Sequence, residues 1–212
     1  MTPRAALERG LEELELALPA STRDQLIAYV MLLAKWNRSY NLTAVREPLA
    51  MVSQHLLDSL AVLPHLPLPQ AAARLADVGT GAGLPGIPLA LARPQWRVAL
   101  IESNQKKAAF LRQATIELGI ANVEVHEGRA EAWHPDPLFN MVTSRAFAEL
   151  AAFVAACRHL LARGGTLAAM KGKKPEGEIE RLPPDVRVTA VLRLPTPLRE
   201  AERHLVLCEL QA

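Results

Sequence analysis

The stretch from Leu75 to Leu91, LADVGTGAGLPGIPLAL, constrains this chain more than any other. A short apolar run ends at Val78. Glycines follow at 79, 81, 83 and 86, four of the 11 in the whole chain, and a segment suited to a helix comes next. Glycines at alternate positions of such a turn let main-chain amides approach a neighbour with no Cβ in the way. The chain must therefore fold into something that places a bare backbone turn between a buried strand and a helix.

The surrounding pattern says what that something is. ARLADVG and WRVALIES are short apolar runs suited to strands buried on both faces. LPGIPLALARP between them reads as a short helix, and NQKKAAFLRQATIELG as an amphipathic helix closed by Gly119. VEVHEG, FNMVTSRAF and TLAAMKG read as strands, LAAFVAACRHLLARGG as a helix ending in its glycines, and VRVTAVLRL with RHLVLCEL as a terminal antiparallel pair. Strand alternating with helix predicts an α/β fold, a mostly parallel sheet covered on both faces.

Residues 3–65 differ. Leu7, Leu11, Leu14 and Leu18 recur at helical spacing. Ser21 or Thr22 is placed to cap a second helix carrying Leu26, Ile27, Val30, Leu33 and Trp36. NRSYNLTAVREP reads as a loop, and a third helix starts near Pro48 and runs through Val52, Leu56 and Leu60. The three prolines of LPHLPLPQ put a boundary near Pro64 to Gln70, dividing a helical cap (1–66) from the sheet domain (67–212).

With 212 residues, 50% hydrophobic and 22% charged, the chain can bury a core without disulfides or metal staples. Cys157 and Cys208 are far apart and are expected as buried thiols; no Cys/His cluster has zinc-site spacing. The first residues show no apolar secretory core, and no apolar run approaches the roughly 18 residues that span a bilayer. A cytoplasmic protein with no membrane contact, monomeric by default, is expected. A net charge of +2 neither supports nor excludes an anionic partner.

The loop admits two ligand readings. Gly81-x-Gly83-x-x-Gly86 fits a dinucleotide turn. Gly79-x-Gly81-x-Gly83 fits the tighter loop of S-adenosyl-L-methionine enzymes. Asp77 favours the second, since a carboxylate there can bind the methionine ammonium and would repel a pyrophosphate. Glu102, at the next strand end, can accept the ribose hydroxyls of either ligand. A tight strand–helix turn with no ligand is the third possibility.

Taken together, DVGTGAGLPGIPLA, FLRQ, SRAFA, MKG and ERHLV, preceded by KWNRSYNLT and HLLDSL, make the chain resemble the bacterial small-subunit ribosomal RNA guanine-N7 methyltransferases, the RsmG or glucose-inhibited division protein B (GidB) family. The resemblance implies a class I methyltransferase (Rossmann-like) fold: a seven-stranded, mostly parallel sheet with a reversed last strand and an N-terminal helical cap. It implies S-adenosyl-L-methionine as donor, and methylation of N7 of guanine 527, in the 530 loop of 16S ribosomal RNA, in the small subunit or its precursor. By the same resemblance the donor contacts Asp77, Gly79, Thr80, Gly81, Gly83, Leu84 and Glu102. Ala130 and Glu131 lie beside its adenine, and Arg145 lies near the transferring methyl. Asn41 and His55 match family positions that face the cleft. Two residues depart from the family pattern: Glu102 replaces an aspartate, and Asn140 replaces an acid.

The chemistry is consistent with this. N7 of guanine carries an in-plane lone pair and no proton, so attack on a sulfonium methyl needs no general base. Alignment alone can supply roughly 7–11 kcal/mol. No Asp/Asn-Pro-Pro-aromatic motif and no Pro-Cys follow the fourth strand, which argues against amine and pyrimidine-carbon methylation. Arg145 is expected to position phosphate, guanine carbonyl or donor carboxylate; a salt bridge to Glu149 is the plainer alternative. Lys171, Lys173, Lys174, Arg199 and Arg203 are the expected RNA contacts, or else a solvated face. Trp36 and Tyr40 are spaced as neighbours on one helix face and read as core. A small-molecule methyltransferase, a nicotinamide oxidoreductase and a non-enzymatic ribosome-assembly role are the competing readings.

Overall fold

The computed structural model describes residues 1–69, 72–145, 147 and 149–211. Seven strands form one sheet in the order β3-β2-β1-β4-β5-β7-β6. They are β1 (Arg74–Val78), β2 (Arg97–Glu102), β3 (Val123–Glu127), β4 (Phe139–Ser144), β5 (Leu161–Lys171), β6 (Val186–Arg193) and β7 (His204–Leu210). The pairs among β1 to β5 are parallel, whereas β7 runs antiparallel to both β5 and β6. This is the expected seven-stranded sheet with its reversed last strand.

β1 and β2 are buried along their length except at their first residues, because both faces are covered. On one face Leu75, Leu100, Met141, Met170 and Leu205 join a cluster with helices α5 (Gly86–Ala92) and α6 (Gln105–Glu117). On the other, Ala76, Val78, Ile101 and Val142 meet Phe153 and Cys157 of α7 (Leu150–Cys157). Cys157 and Cys208 are buried, unpaired thiols.

The N-terminal helices are α1 (Pro3–Glu13), α2 (Ala20–Tyr40), α3 (Pro48–Met51) and α4 (Asp58–Leu60), with a π-helical turn (Val52–Leu57) joining the last two. Leu26, Tyr29, Leu33, Met51 and Leu56 belong to the same buried cluster as Leu75 and Leu100, so these helices and the sheet share one core. No described helix is long and apolar enough to cross a membrane.

Three local expectations change. α2 is entered from Pro19, with neither Ser21 nor Thr22 acting as cap, and it continues through Tyr40, so NRSY is its last turn and not a loop. Leu18 falls beyond the end of α1. Gly164 and Gly165 lie inside β5, not at a helix end. The β4–β5 register jumps from Phe139↔Leu161 to Met141↔Thr166, and Gly164, at φ 74°, occupies the resulting bulge. Gln70, at the expected boundary, is outside the described residues.

Candidate active site

Strand order reverses between β1 and β4, and crevices outside the carboxyl ends of strands at such a point are where open α/β sheets bind ligands. The glycine loop leaves β1 there. Gly79 N and Thr80 N donate to the carbonyl of Ile101 (2.9 and 3.2 Å), and the Thr80 carbonyl accepts from Gly83 N and Leu84 N, both at 3.0 Å.

The glycines divide by role. Gly79 and Gly81 have φ of 66° and 63°, and a Cβ built on Gly81 would meet nothing closer than 3.9 Å. These two need conformational freedom, and Gly79 lines a crevice. A Cβ on Gly83 would fall 2.5 Å from Ile87 Cδ1, and one on Gly86 would fall 2.2 Å from Leu100 Cδ2. Gly86 therefore answers to packing alone, whereas Gly83, at φ 94°, answers to packing and to conformational freedom.

Asp77 sits beneath the loop, fully buried. Its Oδ2 accepts from Thr80 Oγ1 (2.5 Å) and from Gly86 N (2.7 Å), while Oδ1 is buried without a partner. Burial pushes the carboxyl up to about 7, against the pull of those bonds and of Arg145. Asp77 thus clamps the turn from below through Oδ2. The Leu84 side chain is buried in the core, so the loop offers only its backbone at that position. Thr80 is buried and its hydroxyl is spent on Asp77.

Glu102 ends β2 with its carboxylate braced between Gly81 N (2.9 Å to Oε2) and Asn104 N (2.8 Å to Oε1). Each oxygen keeps a lone pair for a diol. Val78, Gly79, Ile101, Ser103, Ala130 and Glu131 are among the residues lining the adjoining crevice, so Gly79, Ala130 and Glu131 come together as expected. His159 Nε2 supports the turn Ala130–Ala132 by donating to the carbonyls of Ala130 (3.1 Å) and Trp133 (3.0 Å). A bare loop, a free carboxylate lone pair at the strand end and a flat crevice beyond fit an adenosyl group.

A second crevice, about 380 Å³, opens beside the first at the ends of β4 and β5. Gln54, His55, Asp58, Arg145, Met170, Lys171, Gly172 and Arg203 line it. Gln54 and His55 come from the π-helical turn and Asp58 from the start of α4. The Gln54 carbonyl accepts from Arg145 Nη1 (3.4 Å) and from His55 Nδ1 (2.9 Å). His55 Nε2 is then the acceptor for Thr43 Oγ1 at 2.8 Å. Burial, reinforced by Arg145, pushes His55 down to about 4, so it is neutral near pH 7.

Arg145 extends from the end of β4 toward the cap. Burial lowers its pKa, and Asp58, Tyr29 and Asp77 pull the other way. It does not pair with Glu149, which binds Arg181 at 3.0 Å. Its neighbours Ala146 and Ala148, in the SRAFA stretch, lie outside the described residues.

The expected RNA cations separate. Arg199 and Arg203 both bind the nearly inaccessible carboxylate of Asp58, Arg203 Nε at 3.0 Å, so they are internal ion-pair partners and not free surface charges. Lys171 is buried and bonded to Glu178 (2.7 Å) and the Phe147 carbonyl (3.1 Å). Lys173 and Lys174 are exposed, with Lys174 paired to Glu176 at 2.8 Å. Asn41 is an exposed left-handed C-cap at the end of α2, outside the crevice lining. The neighbouring buried Asn37 holds the following loop through Val45 O (3.0 Å) and Thr43 N (2.9 Å). Asn140, the family departure, accepts from Arg74 N at the opposite end of the sheet. Trp36 and Tyr40 stack at 5.1 Å, but only Trp36, half-buried against Phe110, packs on the core; Tyr40 is exposed, contrary to the expectation for it.

Sequence reasoning missed Tyr29, Gln54 and Asp58. Tyr29 carried a readable signal, because a tyrosine on a helix face otherwise filled by Leu and Val needs a partner for its hydroxyl.

A seven-stranded sheet in this order, with β7 reversed and a glycine loop at the switch point, defines the fold of class I S-adenosylmethionine-dependent methyltransferases. A solved S-adenosylmethionine-dependent methyltransferase from Aquifex aeolicus superposes with a TM-score of 0.58 at 19% identity, covering 75% of this chain and 92% of that one. The chain belongs to the GidB family, rRNA small subunit methyltransferase G, whose model matches residues 22–206. It is 53% identical over 213 residues to ribosomal RNA small subunit methyltransferase G of Nitrosospira multiformis, covering 97% of each chain. It is 52% identical over 206 residues to the protein of that name from Laribacter hongkongensis, covering 97% of this chain and 98% of the relative.

Proposed function

We propose that this protein transfers a methyl group from S-adenosyl-L-methionine to N7 of a single guanine, position 527 in the 530 loop of 16S ribosomal RNA, acting in the cytoplasm as a monomer. The observation that carries this reading is a pair of crevices at the carboxyl ends of the strands, one lined by Gly79, Ala130 and Glu131 and the other by Arg145, in a chain of this family. One offers bare backbone and a strand-end carboxylate, the other a cationic lining.

The bound donor supplies an electrophilic methyl on sulfonium. Gly79, Glu102 and Ala130 orient it; Asp77 and Thr80 hold the turn that presents Gly79 and Gly81. The second crevice takes the guanine. Arg145, Lys171 and Arg203 line it with Asp58; Lys171 is paired with Glu178 and Arg203 with Asp58, so Arg145, bonded to a neutral carbonyl, is the cation placed to meet a base carbonyl or its phosphate. No group there needs to accept a proton. Neutral His55, with both ring nitrogens engaged, serves as a wall and not as a base. Catalysis then rests on alignment and exclusion of water. The segment 1–66 acts as a cap over the sheet domain, supplying Gln54, His55 and Asp58 to the site. Lys173 and Lys174, beside the crevice, reach for RNA phosphates.

The test is transfer of a labelled methyl to small subunits lacking the mark, followed by nuclease digestion and chemical cleavage at N7-methylated positions. The expected product is 7-methylguanosine at one site. Methylation of a metabolite with the subunit left unmodified would replace this reading with the small-molecule one.

A further inference from the structure

Tyr29 plays no part in the mechanism above, yet it is fully buried where the cap meets the glycine loop. Its hydroxyl donates to the carbonyl of Ala82 at 2.7 Å, across 53 positions of chain. Ala82 stands between Gly81 and Gly83, both at positive φ. The Ala82 carbonyl shares a planar peptide with the Gly83 N–H, which the loop holds through Thr80 O at 3.0 Å, so that plane is pinned at one end by the loop and at the other by the Tyr29 hydroxyl. The other loop bonds fix amides and the Thr80 carbonyl: Gly81 N to Glu102, Gly83 N and Leu84 N to Thr80, Gly86 N to Asp77. The donor for Ala82 comes from the cap. The phenol also lies within electrostatic reach of Arg145, which lines the second crevice, and of Asp77 beneath the loop.

We propose that Tyr29 is a positioning residue through which the cap sets the conformation of the donor-binding loop: its bond to Ala82 holds that carbonyl away from the crevice and couples cap docking to donor affinity. This rests on the reading of the glycine loop as the donor site. The helical cap is then not only a surface for the nucleic acid. Loss of the Tyr29 bond, as distinct from general loosening of the helix, releases the Ala82 carbonyl and weakens the grip on the donor.

The test is Tyr29→Phe in the full chain, with calorimetric titration of S-adenosylhomocysteine and thermal melting measured in parallel. Leu33→Ala, a buried change in the same helix without a bond to the loop, reports what general loosening does. Losing the donor to a buried carbonyl should raise the Kd of Tyr29→Phe about tenfold, or ~1.4 kcal/mol. Leu33→Ala should lower the melting temperature at least as much and leave Kd within about twofold. Equal binding by Tyr29→Phe and wild type, or Kd values that track melting temperature in both variants, would overturn the inference. A wild-type chain that does not bind would remove the donor-site reading and this inference with it. If Tyr29→Phe does not fold, 3-fluorotyrosine at position 29 in a Tyr40→Phe background strengthens the phenol as donor. Tighter binding is then expected, and an unchanged Kd counts against the proposal.

Discussion

Arg203 and Asp58 lie 145 positions apart in the chain and meet at 3.0 Å. Arg199 approaches the same carboxylate, which is almost wholly removed from water. The turn before β7 is thereby tied to the cap at the rim of the second crevice. Asp58→Asn removes the charge and leaves two arginines facing a neutral amide. Breaking a buried pair costs about 3–5 kcal/mol. Because the Arg203 side chain keeps 31% exposure, the loss should fall near the lower figure. A urea unfolding series reads it directly, and methyl transfer should fall with it.

Arg145 bonds the carbonyl of Gln54 from the end of β4, and the positioning role proposed for it predicts an effect separable from donor binding. Arg145→Ala should reduce turnover on small subunits by about 10²-fold, the scale of a misplaced reactant. The S-adenosylhomocysteine Kd should stay within about threefold. Arg145→Lys should restore little if the planar guanidinium is needed. Single-turnover rates and calorimetry distinguish these outcomes.

The division of the glycines has a direct test. Gly83→Ala places a methyl 2.5 Å from Ile87 Cδ1 at φ 94°, so it combines overpacking with strain. A stability loss of about 2–4 kcal/mol is expected. Gly81→Ala meets open space and carries only the left-handed penalty, about 1–2 kcal/mol. Denaturant midpoints should rank the two in that order. If Gly83→Ala proves as mild as Gly81→Ala, the assignment of Gly83 to packing is wrong.

Asp77 and His55 oppose each other in their pH dependence. Asp77 rises from 3.8 to about 7 in the folded state, so the native chain holds the extra proton between those values. Its contribution therefore falls as pH rises from about 4 to 7. His55 drops from 6.5 to about 4, so the unfolded chain holds the extra proton there, and its contribution is lost as pH falls below 6.5. In wild type the two slopes offset between about pH 4 and 6.5. Asp77→Asn should leave stability rising with pH across that window, and His55→Asn should leave it falling. Unfolding free energies at four or five pH values would show it, and parallel curves for all three proteins would refute it.

The sheet was legible in the sequence because β1 and β2 are buried on both faces and so read as unbroken apolar runs. The turn after β1 was legible because glycines at 79, 81 and 83 have few other uses. Local polarity misled elsewhere. NRSY looks like a loop, yet it closes α2, because Asn37 is buried there and spends its amide on the following backbone. ARGG looks like a helix end, yet its glycines make a strand bulge whose need arises from pairing with β4. Arg199 and Arg203 looked like surface charge because they alternate with Glu200 and Glu202 in a polar, turn-rich stretch. Their partner Asp58 is supplied by a helix at the other end of the chain, and no spacing rule reaches that far.

One consequence follows from β7 lying between β5 and β6. A nascent chain emerging from the ribosome can lay down β1 to β5 early, but β6 has no place to dock until β7 has been made. The cation pair that completes the second crevice arrives in the same late segment. A product whose synthesis stops short of His204 therefore offers an open sheet edge in place of a weakened catalyst, and cellular quality control rather than low turnover decides its fate.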